Sequence, residues 1–127
     1  MRKYVIREPI YGAEIFLLVC LPKQYDRFVR KYVTNLPSSD EAKGSDFACY
    51  ESKPTPGGRR FRSIWFEDWK NDDQHLSELT HEVRHATDDI LRYVGVKPTK
   101  GAEEAFTYYQ AWLFMECLKR LKKGGKK

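Results

Sequence analysis

His81, Glu82 and His85 are the residues whose types and spacing best fit them to act together. They stand in Leu79-Thr80-His81-Glu82-Val83-Arg84-His85-Ala86, which contains the pattern H-E-x-x-H. Residues four apart on a helix share a face, one turn above the other. His81 and His85 can therefore each aim a ring nitrogen at one ion, at the roughly 2.0–2.1 Å of a zinc–imidazole bond. Glu82 projects from the neighbouring position, within reach of a water on that ion, where a general base must stand. The pattern points to metal-assisted hydrolysis with Zn²⁺ as cofactor.

A catalytic zinc commonly takes three protein ligands and keeps a position for water, so a third donor is required. His75 is the one other histidine, six residues ahead of His81. That spacing puts it on another face or off the helix, as a solvent-facing or N-terminal residue. Glu103 and Glu104 are better placed, because the short link Gly95-Val-Lys-Pro-Thr-Lys-Gly-Ala102 must return the last helix across the first. Acids also favour the first turn of any helix, which is sufficient reason for one of the two. Asp88, Asp89 and Glu78 are candidates to hold the second N–H of a ligating imidazole, although a solvated surface accounts for each more simply. Tyr108 and Tyr109 could donate to a developing oxyanion, with core packing the simpler reading.

The elements that must position these residues are legible in the chain around them. Apolar residues at helical spacing (Leu76, Leu79, Val83, Ala86, Ile90, Val94) predict a helix from near Gln74 to about Tyr93. Gly95 ends it and Pro98 prevents its continuation. A last helix is predicted from about Ala102 to Lys122, with Phe106, Tyr109, Leu113, Cys117 and Leu121 on one face. Upstream, Arg2–Arg7 and Glu14–Leu21 read as strands that could form a hairpin across Glu8–Ala13. Pro22 suits a helix N-terminus, followed by Tyr25, Phe28, Val29 and Tyr32–Val33 at helical spacing with basic residues between them. Ser38–Ser45 reads as a polar loop. Phe47–Ser52 and Arg60–Phe66 are strand candidates around the turn chemistry of Lys53–Gly58. Arg60–Phe66, just before the helix of the motif, could align an extended peptide by edge pairing. Strands and one helix followed by a hairpin and two long helices predict an α+β domain, a small mostly antiparallel sheet with its helices gathered on one side.

At 127 residues the chain is expected to form one domain, with a frayed basic tail from about residue 122. The net charge is +5, and Lys119, Arg120, Lys122, Lys123, Lys126 and Lys127 carry more than that excess. Such a tail could hold nucleic acid, but a solubilising helix end that complements the dipole is the weightier reading. No apolar run approaches the roughly 18–20 residues of a membrane span. The N-terminus has a basic start but no cleavable signal pattern, so a cytoplasmic protein is expected. Cys20, Cys49 and Cys117 are odd in number, far apart and set among apolar residues, which predicts packing thiols and no disulfide framework. Oligomeric state is not encoded legibly.

His81-Glu82-x-x-His85 followed by a glutamate on the next helix resembles the gluzincin branch of the zincin metallopeptidases. More narrowly, HEVRHATDDILRYVGV followed by EEAFTYYQAWL is similar to small H-E-x-x-H proteins encoded by phages and prophages. The resemblance spans about Ile64 to Leu118, under half the chain. It implies a minimal zincin-like domain and a metallopeptidase acting on a peptide or protein, in the host cytoplasm if the chain is phage-encoded. In that family pattern the ligand glutamate stands four residues before a Tyr, so Tyr108 points back to Glu104 as third ligand, with Glu103 the runner-up. Thr107 stands where the pattern has Ala. Two competing readings are a catalytically silent zincin-fold phage structural or interaction protein that binds zinc without turnover, and nucleic-acid binding through the basic strand and tail.

Overall fold

A computed structural model describes residues 1–33, 45–55, 58–97 and 99–124, with side chains described at all of these except 51–55, 58–59 and 124. Most of the expected polar loop (38–44), part of the second turn (56–57), Pro98 and the tail end (125–127) lie outside the described residues. The fold is a small α+β arrangement around a four-stranded mixed sheet. It forms two compact units, Met1–Trp69 and Lys70–Lys127.

The first unit holds strands β1 (Arg2–Arg7) and β2 (Glu14–Val19), helix α1 (Pro22–Val29), and strands β3 (Ser45–Thr55) and β4 (Gly58–Phe66). β1 and β2 form the expected antiparallel hairpin, in register from Arg2↔Val19 to Arg7↔Glu14. Gly12, at φ 74°, supplies the left-handed residue that this turn needs. Glu8 is 2% exposed, and its carboxylate accepts the backbone N–H groups of Ile10 and Tyr11. That buried acid is therefore a staple of the turn, satisfied by amides as a buried charge must be.

β3 and β4 form a second antiparallel hairpin, and the sheet order is β1-β2-β4-β3. The two hairpins join through a parallel β2·β4 pair, Phe16↔Ser63 to Val19↔Phe66. The expected edge strand is thereby corrected. β4 is paired on both sides, and the sheet edges are β1 and β3. The reason is visible in burial: Phe61, Arg62, Ser63, Ile64, Trp65 and Phe66 are all at most 5% exposed. An unbroken buried run belongs in a sheet interior, where both faces are covered.

α1 begins at Pro22, whose fixed φ suits a first helical position, and Gln24 Oε1 accepts the Leu21 N–H at 2.9 Å. The helix ends at Val29, and turns through Tyr32 still bury Val33. Tyr25, Phe28, Val29 and Val33 form one cluster with Leu18, Cys20, Phe61 and Trp65. Phe16 lies edge-on to Phe28 at 5.1 Å and stacks on Phe61 at 5.4 Å. Each such apolar side chain, fully buried, stabilises the fold by about 1.5–3 kcal/mol. The polar atoms inside are paired: Trp65 Nε1–H donates to the Cys20 carbonyl at 2.9 Å, and the Tyr25 hydroxyl meets Ser63 Oγ at 2.9 Å. Burial pushes the Tyr25 phenol well above its ordinary range. By strand alternation Ile6, Ile15, Leu17, Ile64 and Phe66 project from the opposite face of the sheet, and all are buried.

The second unit holds α2 (Asp73–Tyr93), a 3-10 turn (Lys100–Ala102) and α3 (Glu103–Gly124), with α2 and α3 packed together. α2 stops in a left-handed cap at Gly95 (φ 89°), where Val96 N–H reaches the Leu91 carbonyl at 2.8 Å. Leu79, Val83, Ala86, Ile90 and Leu91 are buried along α2, as are Phe106, Tyr109, Leu113, Cys117 and Leu121 along α3. Burial pushes the Cys117 thiol up to about 12 and raises Cys20 as well. Neither is an available thiolate at neutral pH, in keeping with a packing role. No helix among the described residues is long and apolar enough to cross a membrane.

α2 starts on Asp72, whose Oδ1 accepts the His75 backbone N–H at 2.8 Å and meets His75 Nδ1 at 2.7 Å. Those two bonds, the backbone one first, hold the Asp72 carboxyl below its ordinary value of 3.8. A pKa depressed in the folded chain means the cap acts fully above that ordinary value and is lost as pH falls through the lower, folded one. Asp72→Ala should therefore speed amide exchange in the first turn of α2 at neutral pH. The difference from wild type should close as pH drops below 3.8. Equal exchange at neutral pH would show that the cap contributes nothing.

Candidate metal centre

The spacing in the motif is realised within one unbroken helix. His81, Glu82 and His85 all lie inside α2, whose backbone bonds fix the one-turn separation. The two imidazoles converge: His81 Nε2 and His85 Nε2 are 3.0 Å apart, with ring centroids at 4.6 Å and planes at 83°. One neutral ring can donate its Nε2–H to the other at that distance. The same distance fits shared coordination. Two nitrogens about 2.05 Å from one ion subtend about 94° at 3.0 Å separation, and reach a tetrahedral angle by spreading to about 3.3 Å. Both histidines are exposed, while Glu82 is 5% exposed.

The ligand atoms of His81, Glu82 and His85 lie within 4.8 Å of one another, a group that could hold a metal ion. Two imidazoles and a carboxylate make a borderline-to-hard donor set that suits zinc and its neighbours among the divalent metals. Glu104 is not a member of that group. Glu103 and Glu104 are exposed at the start of α3 and line a pocket of about 690 Å³ with Arg84, Thr99, Lys100, Phe106, Thr107 and Tyr108. His75 is occupied at the helix start with Asp72. Tyr108 is 71% exposed and Tyr109 is buried.

Arg84 is the residue that reading by residue type passed over. Its Nε donates to Asp88 Oδ2 at 3.3 Å and its Nη1 to Gln110 Oε1 at 3.5 Å, which ties α2 to α3. Asp88 is thus engaged with Arg84 through one oxygen, and its buried Oδ1 has no partner among the described residues. At about 100° per residue, Glu82 lies on one flank of His81 and Arg84 about 60° round the other. The histidine pair therefore sits between a buried carboxylate and a pinned guanidinium that walls the pocket. The legible signal was Arg84–Asp88 at i,i+4, a spacing that brings opposite charges together on a helix.

Compared with protein-family models, curated proteins and solved structures, the chain matches none.

Proposed function

We propose that this chain is a zinc-dependent hydrolase, most simply a metallopeptidase, with His81 and His85 as ligands and Glu82 as general base. The observation that supports it is the convergence of two Nε2 atoms to 3.0 Å with the buried Glu82 carboxylate inside the same 4.8 Å group. A divalent ion held there would supply a Lewis acid and an acidified water. The Glu82 carboxylate takes a proton from the attacking water and returns it to the leaving amine. Its burial keeps that carboxylate poorly solvated, which strengthens its electrostatic interactions. Glu104 is the proposed third donor: it stands in the pocket walled by Arg84, the residue preceding His85, and has no ion-pair partner among the described residues.

A second reading, zinc binding without turnover, is favoured by one observation: Glu104 stands outside the three-residue group. Metal analysis and a peptide-library assay separate the two. The hydrolase reading expects one zinc per chain and cleavage that stops on chelation and returns with zinc. Zinc without cleavage leaves the silent reading, and no stoichiometric zinc removes both. Glu104→Gln should weaken zinc retention at least by the roughly 10–100-fold that loss of an outer partner costs. Unchanged retention would exclude Glu104 as a ligand.

A further inference from the structure

The first unit carries an uncompensated row of positive charge that the candidate metal centre does not use. Lys23, Arg27 and Arg30 lie on and just beyond α1 at i, i+4 and i+7, so they share one face, and Lys31 follows at i+8. All four are exposed, as is Lys3 on β1. Lys3 and Lys31 converge on Phe28, with Nζ atoms 5.5 and 5.8 Å from its ring centroid. None of the five has a carboxylate in ion-pair range among the described residues. Asp26 is the single acid on α1.

This arrangement opposes the helix that carries it. Lys23–Arg27 and Arg27–Lys31 are like charges at i,i+4, which repel. Lys23 also stands in the first turn, where the helix dipole disfavours a cation and where α1 has no acid. The dipole can account for Arg27 and Arg30 near the C-terminal end, but not for Lys23. From Lys23 to Arg30 the row runs about 10 Å, at 1.5 Å per residue. One strand of a nucleic acid presents a phosphate about every 3.4 Å of axis, so three cations face about three phosphates.

We propose that α1, with Lys3 beside it, is a sequence-independent nucleic-acid backbone interface. An anionic membrane offers the same charge, but a helix lying in a bilayer needs an exposed apolar face. Tyr25, Phe28 and Val29 are instead all buried. Leu21, just before the helix, is the one large apolar side chain exposed beside this row, too little for a bilayer anchor.

The test is anisotropy titration of the full-length chain with fluorescent DNA of about 20 nucleotides, single-stranded and duplex, across a salt series. Wild type should bind both, more weakly as salt rises. The K23Q/R27Q/R30Q/K31Q variant should bind about tenfold or more weakly at low salt, its log–log salt slope shallower by about 2.8 for single strands and 3.6 for duplex. R27K/R30K keeps the charges and should bind as wild type does. Because the quadruple variant removes repelling pairs, it should melt no lower than wild type. The proposal is overturned if wild type does not bind, if the quadruple variant keeps wild-type affinity, or if R27K/R30K loses it. It is overturned equally if K122Q/K123Q/K126Q/K127Q abolishes binding, or if phosphatidylserine vesicles are bound and DNA is not.

Discussion

Glu82→Gln protein is expected to hold zinc as wild type does and to lose hydrolysis by about 10²–10⁴-fold, the range a positioned general base contributes. The substitution keeps the shape of the side chain and most of its hydrogen-bonding capacity while removing its basicity. His81 and His85 are separate donors on the exposed side of α2, so the 3.0 Å pair should survive the change. Paired measurements of zinc content and kcat on the same sample discriminate among the readings. Zinc retained with cleavage lost is the expected result. Cleavage unchanged would dismiss Glu82 as base, and zinc lost along with it would make Glu82 a ligand. His85→Ala, by contrast, should lose both, because it removes one of two converging nitrogens.

The second large effect concerns stability. Trp65→Ala should cost about 3–5 kcal/mol, the range for emptying a large aromatic site in a packed core. Trp65 is fully buried, its ring lies 5.2 Å from that of Tyr25, and its Nε1–H is bonded to the Cys20 carbonyl. The variant therefore opens a cavity and leaves a buried carbonyl without its donor, two penalties that add. Natural domains are stable by about 5–15 kcal/mol, so a third or more of the total is at stake. Urea unfolding with an unchanged slope would report the loss directly. A change under about 1 kcal/mol would mean the cluster around α1 relaxes to fill the gap.

The sequence was most informative where structure is local. α2 was expected from near Gln74 to Tyr93 and runs Asp73–Tyr93, because its apolar stripe and the Gly95 stop act within a few residues. The β1–β2 hairpin was equally legible, since Pro9 and Gly12 make its turn. β4 was misplaced at an edge because Arg60, Arg62 and Ser63 read as solvent-facing, and pattern alone cannot show that Arg62 and Ser63 are buried. The β2·β4 pairing joins strands that are not neighbours in the chain, and periodicity carries no information on such partners. The same limit governs the candidate site. His81, Glu82 and His85 come together through helix geometry alone, whereas Glu104 depends on how α3 is rotated and slid against α2, and no spacing within α3 encodes that.

The parallel pair in the middle of the sheet also bears on how the chain folds. Phe16 must find Ser63, 47 positions away, before β2 and β4 can zip together. Contacts of that range delay folding, because loop closure comes before any stabilising contact. During synthesis β2 waits for the whole of α1, β3 and β4 before its inner edge is paired, and an open strand edge of that kind favours aggregation. The histidine pair has no such delay, since its geometry depends on one helix forming. Metal-binding capacity should therefore be among the earliest native properties acquired, and closure of the sheet among the last.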